Sequence, residues 1–438
     1  MIRPMATNPI PQFPAGFLWG VSTSAHQIEG AADLRAPSVW DAFTAEPGRV
    51  KDGSTAAVAC DHYHRYREDV ALLADLGVDA YRFSVSWPRV DSPGGLDFYD
   101  RLVDELCAAG IRPVATLFHW DLPVGLDWLR RETAERFAQY TAAVAARLGD
   151  RVGSWLTLNE PAEHTLLGHA LGAHAPGRQL LFDALPAAHH QLLGHGLAVR
   201  ALRAAGATDI GIANSHGPTW PASHAAEDLE AAAFYDILLN RLFADPLLLG
   251  RYPEGIDALM PGDVEADLKV IAEPIDRYGV NYYAPTRVGA PQGDEIEFGG
   301  LTLPAELPFS VREIEDRPVT DFGWPVVPEG LTELLTGLRD RYGDRLPPVV
   351  ITENGCSYPG LDDQDRIGYL DGHIRALHDA LAAGVDVRGY FVWSLLDNFE
   401  WAEGYARRFG LVHVDFATLE RTPKASYGWF REVLQAQR

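Results

Sequence analysis

Two glutamates carry the chemistry this chain could perform: Glu160, in Thr157-Leu-Asn-Glu-Pro161, and Glu353, in Ile351-Thr-Glu-Asn-Gly355. Each closes a short run of strand-forming residues, and each has an asparagine beside it. Two carboxyls delivered by separate strand ends suit the cleavage of a glycosidic bond. One carboxylic acid protonates the departing oxygen while the other carboxylate meets the developing oxocarbenium carbon, so neither suffices alone. A lone Glu at a strand end is more often an ion-paired surface residue. A second Asn-flanked Glu on another strand reverses that balance.

The elements that must position these groups are legible as eight runs rich in Val, Ile, Phe, Tyr and Trp. They are Phe17 to Thr23, Ala80 to Trp87, Arg112 to Trp120, Ser154 to Glu160, Asp209 to Ser215, Arg277 to Tyr283, Pro347 to Gly355 and Gly389 to Leu395. Between them the Ala and Leu spacing predicts helices over His64 to Leu76, Leu96 to Ala109, Thr133 to Leu148, Leu185 to Ala205, Leu331 to Tyr342 and Ile367 to Ala383. Eight strands alternating with helices, without a Pro/Ser-rich linker, predict a single α/β domain over 1–438, a (β/α)8 TIM barrel with its site at the C-terminal strand ends. Residues 285–320, rich in Gly, Pro and acidic side chains, are expected to form an irregular excursion over the barrel mouth.

Such a barrel gathers strand-end residues that are remote in sequence. Read in order, those ends offer Gln27, Arg82, His119 with Trp120, Asn159 with Glu160, Asn281 with Tyr283, Glu353, and Trp393 followed by Glu400 and Trp401. A pyranose presents hydroxyls that both donate and accept, and a flat patch of C–H bonds. A site mixing amides, imidazole, carboxylates and indoles matches it. The histidines of Asp61-His-Tyr-His-Arg65, and His189, His190 and His195, fall in helical stretches and are expected to be structural. With no His/Asp/Glu cluster at ligand spacing, neither a metal nor another cofactor is expected.

Composition narrows the partners. A formal charge of −24 over 438 residues repels nucleic acid and anionic membranes, so a small neutral substrate is the expected partner. No run of about 18 uncharged apolar residues is available to span a bilayer, and the opening Met1 to Pro14 lacks the pattern of a secretory leader. Cys60, Cys107 and Cys356 are odd in number and widely spaced, which points to the reducing cytoplasm and not to a disulfide framework.

The motifs together resemble glycoside hydrolase family 1, the β-glucosidase and β-galactosidase group, over nearly the whole chain. Phe17-Leu-Trp-Gly20 running to His26-Gln-Ile-Glu-Gly30, Tyr81-Arg-Phe-Ser84 and Ser86-Trp-Pro-Arg89 open the resemblance. The runs containing His119, Glu160, Tyr283 and Glu353 follow in family order, and Trp393-Ser-Leu-Leu-Asp-Asn-Phe-Glu-Trp401 with Arg408-Phe-Gly-Leu411 closes it. The resemblance implies Glu160 as general acid/base and Glu353 as nucleophile of a retaining double displacement, in an exo-acting β-glucosidase with possible β-galactosidase or β-fucosidase activity. It implies that Asn159 holds the sugar 2-hydroxyl, that Gln27, His119 and Trp401 hold the 3- and 4-hydroxyls, and that Glu400 holds the 4- and 6-hydroxyls. Trp120 joins these as a sugar contact, Trp393 stacks beneath the ring, Trp324 is the leaving-group platform and Phe409 lies near the 6-position. Arg82, Asn281 and Tyr283 support the nucleophile. Glu400 argues for unphosphorylated substrates, since a carboxylate repels a phosphate dianion. A transglycosidase using the same covalent intermediate is the alternative; a non-catalytic sugar-binding barrel is the remote one.

The chain departs from the family at Val90 to Gly95, Leu126-Asp-Trp-Leu129 and Cys356 to Asp365, which are expected to lower the walls on the acceptor side. Ala162-Glu163 stands where the family often has an aromatic. Glu163, a helical turn from Glu160, is expected to be a solvent-facing charge; the alternative is that it raises the acid's pKa.

Overall fold

The computed structural model of this chain describes residues 9–298 and 301–438. Readings that touch residues 1–8, at the opening of the chain, and 299–300, within the 285–320 stretch, there lie outside the described residues. Eight parallel strands close into a barrel: β1 (Leu18–Ser22), β2 (Ala80–Ser84), β3 (Arg112–Phe118), β4 (Ser154–Asn159), β5 (Ile210–Ser215), β6 (Arg277–Asn281), β7 (Val349–Asn354) and β8 (Val387–Trp393). Each strand pairs with its sequence neighbour, and β1 closes the ring by pairing in parallel with β8. The outer layer comprises α1 (His62–Leu76), α2 (Gly95–Ala108), α3 (Arg131–Leu148), α4 (Leu185–Ala204), α5 (Val264–Ile271), α6 (Pro328–Tyr342), α7 (Gln364–Ala382) and α8 (Ala425–Gln437). This is the predicted (β/α)8 architecture.

The helices bury the stripe their sequences specify. In α3 the buried residues are Thr133, Ala134, Phe137, Tyr140, Thr141, Val144, Ala145 and Leu148, a three-to-four residue spacing that puts one face against the barrel. Residues on the strands that point inward pack separately: Ala80, Val114, Leu156, Ala213, Val350 and Phe391 fill the barrel interior. Gly20 makes room there, because a Cβ on it would lie 2.3 Å from the Phe391 ring. The interior is thus a packed plug, and the open cavity lies at one end of the barrel.

Sequence periodicity runs several strands past their true ends. The expected segments ending at Trp87, Trp120, Glu160, Tyr283 and Leu395 stop in the structure at Ser84, Phe118, Asn159, Asn281 and Trp393. Of the residues beyond, His119, Trp120, Glu160 and Tyr283 line a cavity, while Trp87 and Leu395 pack into the core, and both roles keep a strand-like composition. Periodicity also misses α5 and α8, and a helix over Ala226–Asp236 that continues through a widened turn at Ile237–Arg241 into Leu242–Leu249. Pro246 lies inside that last segment, a residue that ordinarily argues against helix. The 285–320 stretch is more ordered than its composition suggests. Thr286–Gly289 pairs with Thr219–Pro221 on one edge and Ser310–Arg312 on the other, and Ile296–Phe298 pairs with Leu301–Leu303.

Where β7 and β8 run out, their backbones nearly touch: a Cβ on Gly355 would lie 1.8 Å from the Trp393 carbonyl oxygen. Gly355→Ala must part these ends, so it is expected to destabilise the fold by about 1–3 kcal/mol, read as a lower urea midpoint.

Candidate active site

Glu353 lies within β7, and Glu160 is the first residue past β4. Both are buried, at 3% and 6% exposure, although both line one open cavity. Glu160 has φ +46°, left-handed backbone that a non-glycine residue adopts at a cost of about 1–3 kcal/mol. That turn carries it off the strand end and onto the cavity wall. Trp120 and Trp401, at φ +75° and +50°, share the same unusual geometry and the same cavity.

Glu353 is held by two donors. Arg82, from β2, gives Nη1 to Oε1 at 2.6 Å, and the Tyr283 hydroxyl donates to Oε2 at 2.7 Å. The Asn281 amide donates to Glu160 Oε1 at 2.9 Å, and Asn281 pairs in register with Glu353 across β6 and β7. Asn281 is thus a bonding partner of one carboxyl and a strand neighbour of the other. Asn281 is itself fixed by Thr352, whose hydroxyl donates to its Oδ1 at 2.6 Å. Asn159 accepts from Arg82 at 2.6 Å and from Asn281 at 3.0 Å, and its amide faces His119 Nε2 at 3.1 Å.

The two carboxyls are electrostatically unlike. Burial pushes Glu160 well above the usual carboxylate range, and the charges of Glu353 and Glu163 add to the rise. Burial pushes Glu353 up as well, but Arg82, Tyr283 and Asn281 all favour its ionised form. A proton shared by this pair belongs on Glu160, and the negative charge on Glu353.

The remaining expected residues surround these two. His119, Trp120, Tyr283, Trp324, Trp393, Glu400, Trp401 and Phe409 all line the cavity, of about 570 Å³. Burial first, and Arg82 second, hold the His119 imidazole well below its usual pKa, so it is neutral. Its ring stacks on Trp393 with centroids 5.7 Å apart, while Trp120 and Trp401 meet at 4.7 Å. Trp324 is sandwiched by contacts with Phe322 at 4.4 Å and Tyr283 at 5.3 Å. Phe322 was missed in the sequence, although its place two residues before Trp324 was a usable signal. Gln27 and Asn159 are fully buried against the groups that line the cavity: Gln27 Nε2 donates to Glu400 Oε2 at 3.1 Å. Burial and Glu353 push the Glu400 carboxyl up to about 8, opposed by that Gln27 bond. The nearby Lys51 ammonium is engaged by Glu403 at 2.5 Å.

Glu163 is not the solvent-facing charge expected. It is half-buried on the cavity wall and accepts from the Ser215 hydroxyl at 3.1 Å, because the helical turn after Pro161 runs along the cavity instead of away from it. Ser215, at the end of β5, was also missed. Among the described residues, none from the three departures at 90–95, 126–129 and 356–365 lines the cavity. The expected structural histidines are structural: His62 bonds Asp69, His189 bonds Tyr252 and Asp267, His190 bonds the Trp128 carbonyl and His195 bonds Thr157. No group of three His, Cys, Asp or Glu side chains among the described residues is placed to hold a metal ion.

The family model for glycosyl hydrolase family 1 matches residues 10–438. The chain belongs to that family. It is 46% identical over 447 residues to the thermostable beta-glucosidase B of Thermobispora bispora, covering 97% of this chain and 90% of that protein. The crystal structure of the psychrophilic beta-glucosidase from Micrococcus antarcticus superposes with a TM-score of 0.93 at 44% identity, covering 99% of this chain and 100% of that one. The family 1 b-glucosidase of Thermotoga maritima, solved with isofagomine lactam, superposes with a TM-score of 0.90 at 42% identity, covering 97% and 99%. As a family 1 member, this chain is a glycoside hydrolase.

Within this family 1 site, Glu163 adds a negative charge next to Glu160. Glu163→Gln removes that charge, so Glu160 should give up its proton more easily. The alkaline limb of the kcat/KM profile is expected to move to lower pH by about half a unit to one unit. The acidic limb should stay in place.

Proposed function

We propose that this chain is an exo-acting β-glucosidase that hydrolyses unphosphorylated β-D-glucosides with retention, by double displacement through a covalent glycosyl-enzyme. Glu353 attacks the anomeric carbon while Glu160 protonates the leaving oxygen; Glu160 then deprotonates the water that releases the sugar. The observation that carries this reading is the asymmetry of two carboxyls on one cavity wall, Glu353 held by Arg82 and Tyr283, and Glu160 pressed by negative charge. Asn281, which bonds Glu160 and pairs in register with Glu353, supports the short carboxyl separation, about 5 to 5.5 Å, that direct capture requires. Neither step calls for a metal or cofactor.

The sugar would lie over Trp393, with its 2-hydroxyl toward Asn159 and its outer hydroxyls among Gln27, His119, Trp120, Glu400 and Trp401. Phe409 would close the 6-position, and Trp324 would carry the leaving group. The beta-glucosidase names of the relatives favour glucose. The absence of an unengaged cation beside Glu400 among the described residues supports unphosphorylated substrates, since a phosphate would face Glu400 while Lys51 is held by Glu403. We read the whole chain as one barrel domain, with 285–320 contributing Leu303, Phe309 and Val311 to the cavity wall. Three free cysteines accord with action in the reducing cytoplasm.

The test is a panel of aryl β-D-glycosides with the released anomer followed by NMR. The β-anomer should form first, and the glucoside should outpace the xyloside and the 6-phosphoglucoside. First release of the α-anomer would refute the double displacement.

A further inference from the structure

The turn that leaves β8, Ser394 to Trp401, is gripped from two sides. On the cavity side Gln27 Nε2 donates to Asn398 Oδ1 at 3.0 Å, to the Phe399 carbonyl at 3.0 Å and to Glu400 Oε2 at 3.1 Å. Behind it the turn runs beside residues 409–412. The Ser394 N–H donates to the Phe409 carbonyl, the Leu411 N–H to that of Ser394, and the Asp397 N–H to that of Val412. Glu400 and Phe409, both on the cavity wall, therefore ride on two segments whose spacing is set from outside the cavity.

Asp397 joins those segments. Its Oδ1 accepts from Lys424 Nζ at 2.7 Å and from the Gly410 N–H at 3.0 Å, while Oδ2 faces His413 at 3.2 Å and Arg408 at 3.6 Å. The Lys424 N–H in turn donates to the Leu411 carbonyl at 2.9 Å, so the residue that opens α8 brings its ammonium to the junction. Neither Lys424 nor Asp397 lines the cavity, and neither side chain is exposed. Burial would raise the Asp397 carboxyl, but the bond with His413 and the charge of Lys424 hold it below the usual range. Apolar side chains could fill the same space at comparable stability. A charge-assisted hydrogen bond also fixes a direction.

We propose that Lys424 is a positioning residue for the outer edge of the sugar: through Asp397 it holds Glu400 and Phe409 at the spacing that recognises the 4- and 6-hydroxyls. The assignment rests on the β-glucosidase reading above for where the sugar lies, and adds a residue that selects the sugar without touching it.

2,4-Dinitrophenyl β-D-glucoside and its 2-, 4- and 6-deoxy counterparts supply the test, because the ratio of kcat/KM with and without a hydroxyl reads what that hydroxyl contributes. In Lys424→Met the ratios for the 4- and 6-hydroxyls should each shrink by about five- to tenfold, and that for the 2-hydroxyl should stay within about twofold. Arg408 and His413 still face Asp397 in this variant. The double variant Asp397→Asn/Lys424→Met removes both buried charges together, so it keeps the comparison open if the single variant does not fold, and it should show the same two losses. Ratios that all hold, or that all shrink alike, would overturn the proposal. Calorimetric titration with 1-deoxynojirimycin and its 6-deoxy analogue separates the two readings. A wild-type preference for the former that Lys424→Met reduces by about fivefold or more, without turnover of any glucoside, would sink the β-glucosidase reading and sustain the positioning role.

Discussion

Glu353→Gly is expected to lower turnover of aryl β-D-glucosides on the order of 10⁵-fold, the largest single loss available in this chain. The magnitude follows from what is removed. Without the carboxylate no covalent glycosyl-enzyme forms, and water cannot substitute in place, because the groups around Glu353 are arranged for an anion. Arg82 and Tyr283 would face an empty space, each with a donor unsatisfied. A small external anion fits that description, so azide should restore cleavage of an activated aryl glucoside. Attack from the nucleophile's face inverts the centre once, and the product should be the α-glucosyl azide. Mass spectrometry of the wild-type chain treated with a 2-deoxy-2-fluoroglucoside should find the sugar on Glu353. Ordinary turnover by the variant, or a label on another carboxyl, would remove Glu353 from the nucleophile's role.

How far the sequence anticipates this arrangement depends on what kind of signal each residue gives. The barrel was legible because eight apolar runs alternate with amphipathic helices, and α3 shows how directly spacing becomes a buried face. The catalytic candidates were legible because strand ends meet at one rim, so Glu160 and Glu353 needed only their strands to be found. Glu163 was not, because its exposure depends on the direction of a turn. The left-handed backbone at Glu160 sends the following helix along the cavity, and no local spacing encodes that. Much of the cavity was hidden for a related reason. Its walls come from segments distant in sequence, including the 226–249 helix, in which Pro246 masks the helical pattern, and the 285–320 stretch, whose Gly, Pro and acidic content conceals Leu307 and Phe309. Residues that act through packing, such as Gly20 under Phe391 and Gly355 against Trp393, become visible only when the opposing strand is in place.

The counterpart experiment is Glu160→Gln, whose expected effect depends on the leaving group. An alkyl glucoside releases a strongly basic alkoxide unless the oxygen is protonated, so loss of the acid should cost about 10³ to 10⁴-fold in kcat/KM. A 2,4-dinitrophenyl glucoside leaves as a stable anion and should lose about tenfold or less in the same parameter. Its kcat should fall further, because the second step also needs Glu160, now as a base that deprotonates water. The glycosyl-enzyme should therefore accumulate as a burst. The pH profile follows from the same proton: burial, Glu353 and Glu163 raise the pKa of Glu160, so wild-type activity is kept until pH rises through that value and lost above it. The variant carries no such proton, and its kcat/KM for the dinitrophenyl substrate should show no alkaline limb. With Glu160→Ala, azide should intercept the glycosyl-enzyme on the face opposite Glu353 and give the β-glucosyl azide, the opposite anomer to that from Glu353→Gly. Equal losses for both classes of leaving group, or the same azide anomer from both variants, would show that the two carboxyls do not divide the work between two faces of the sugar.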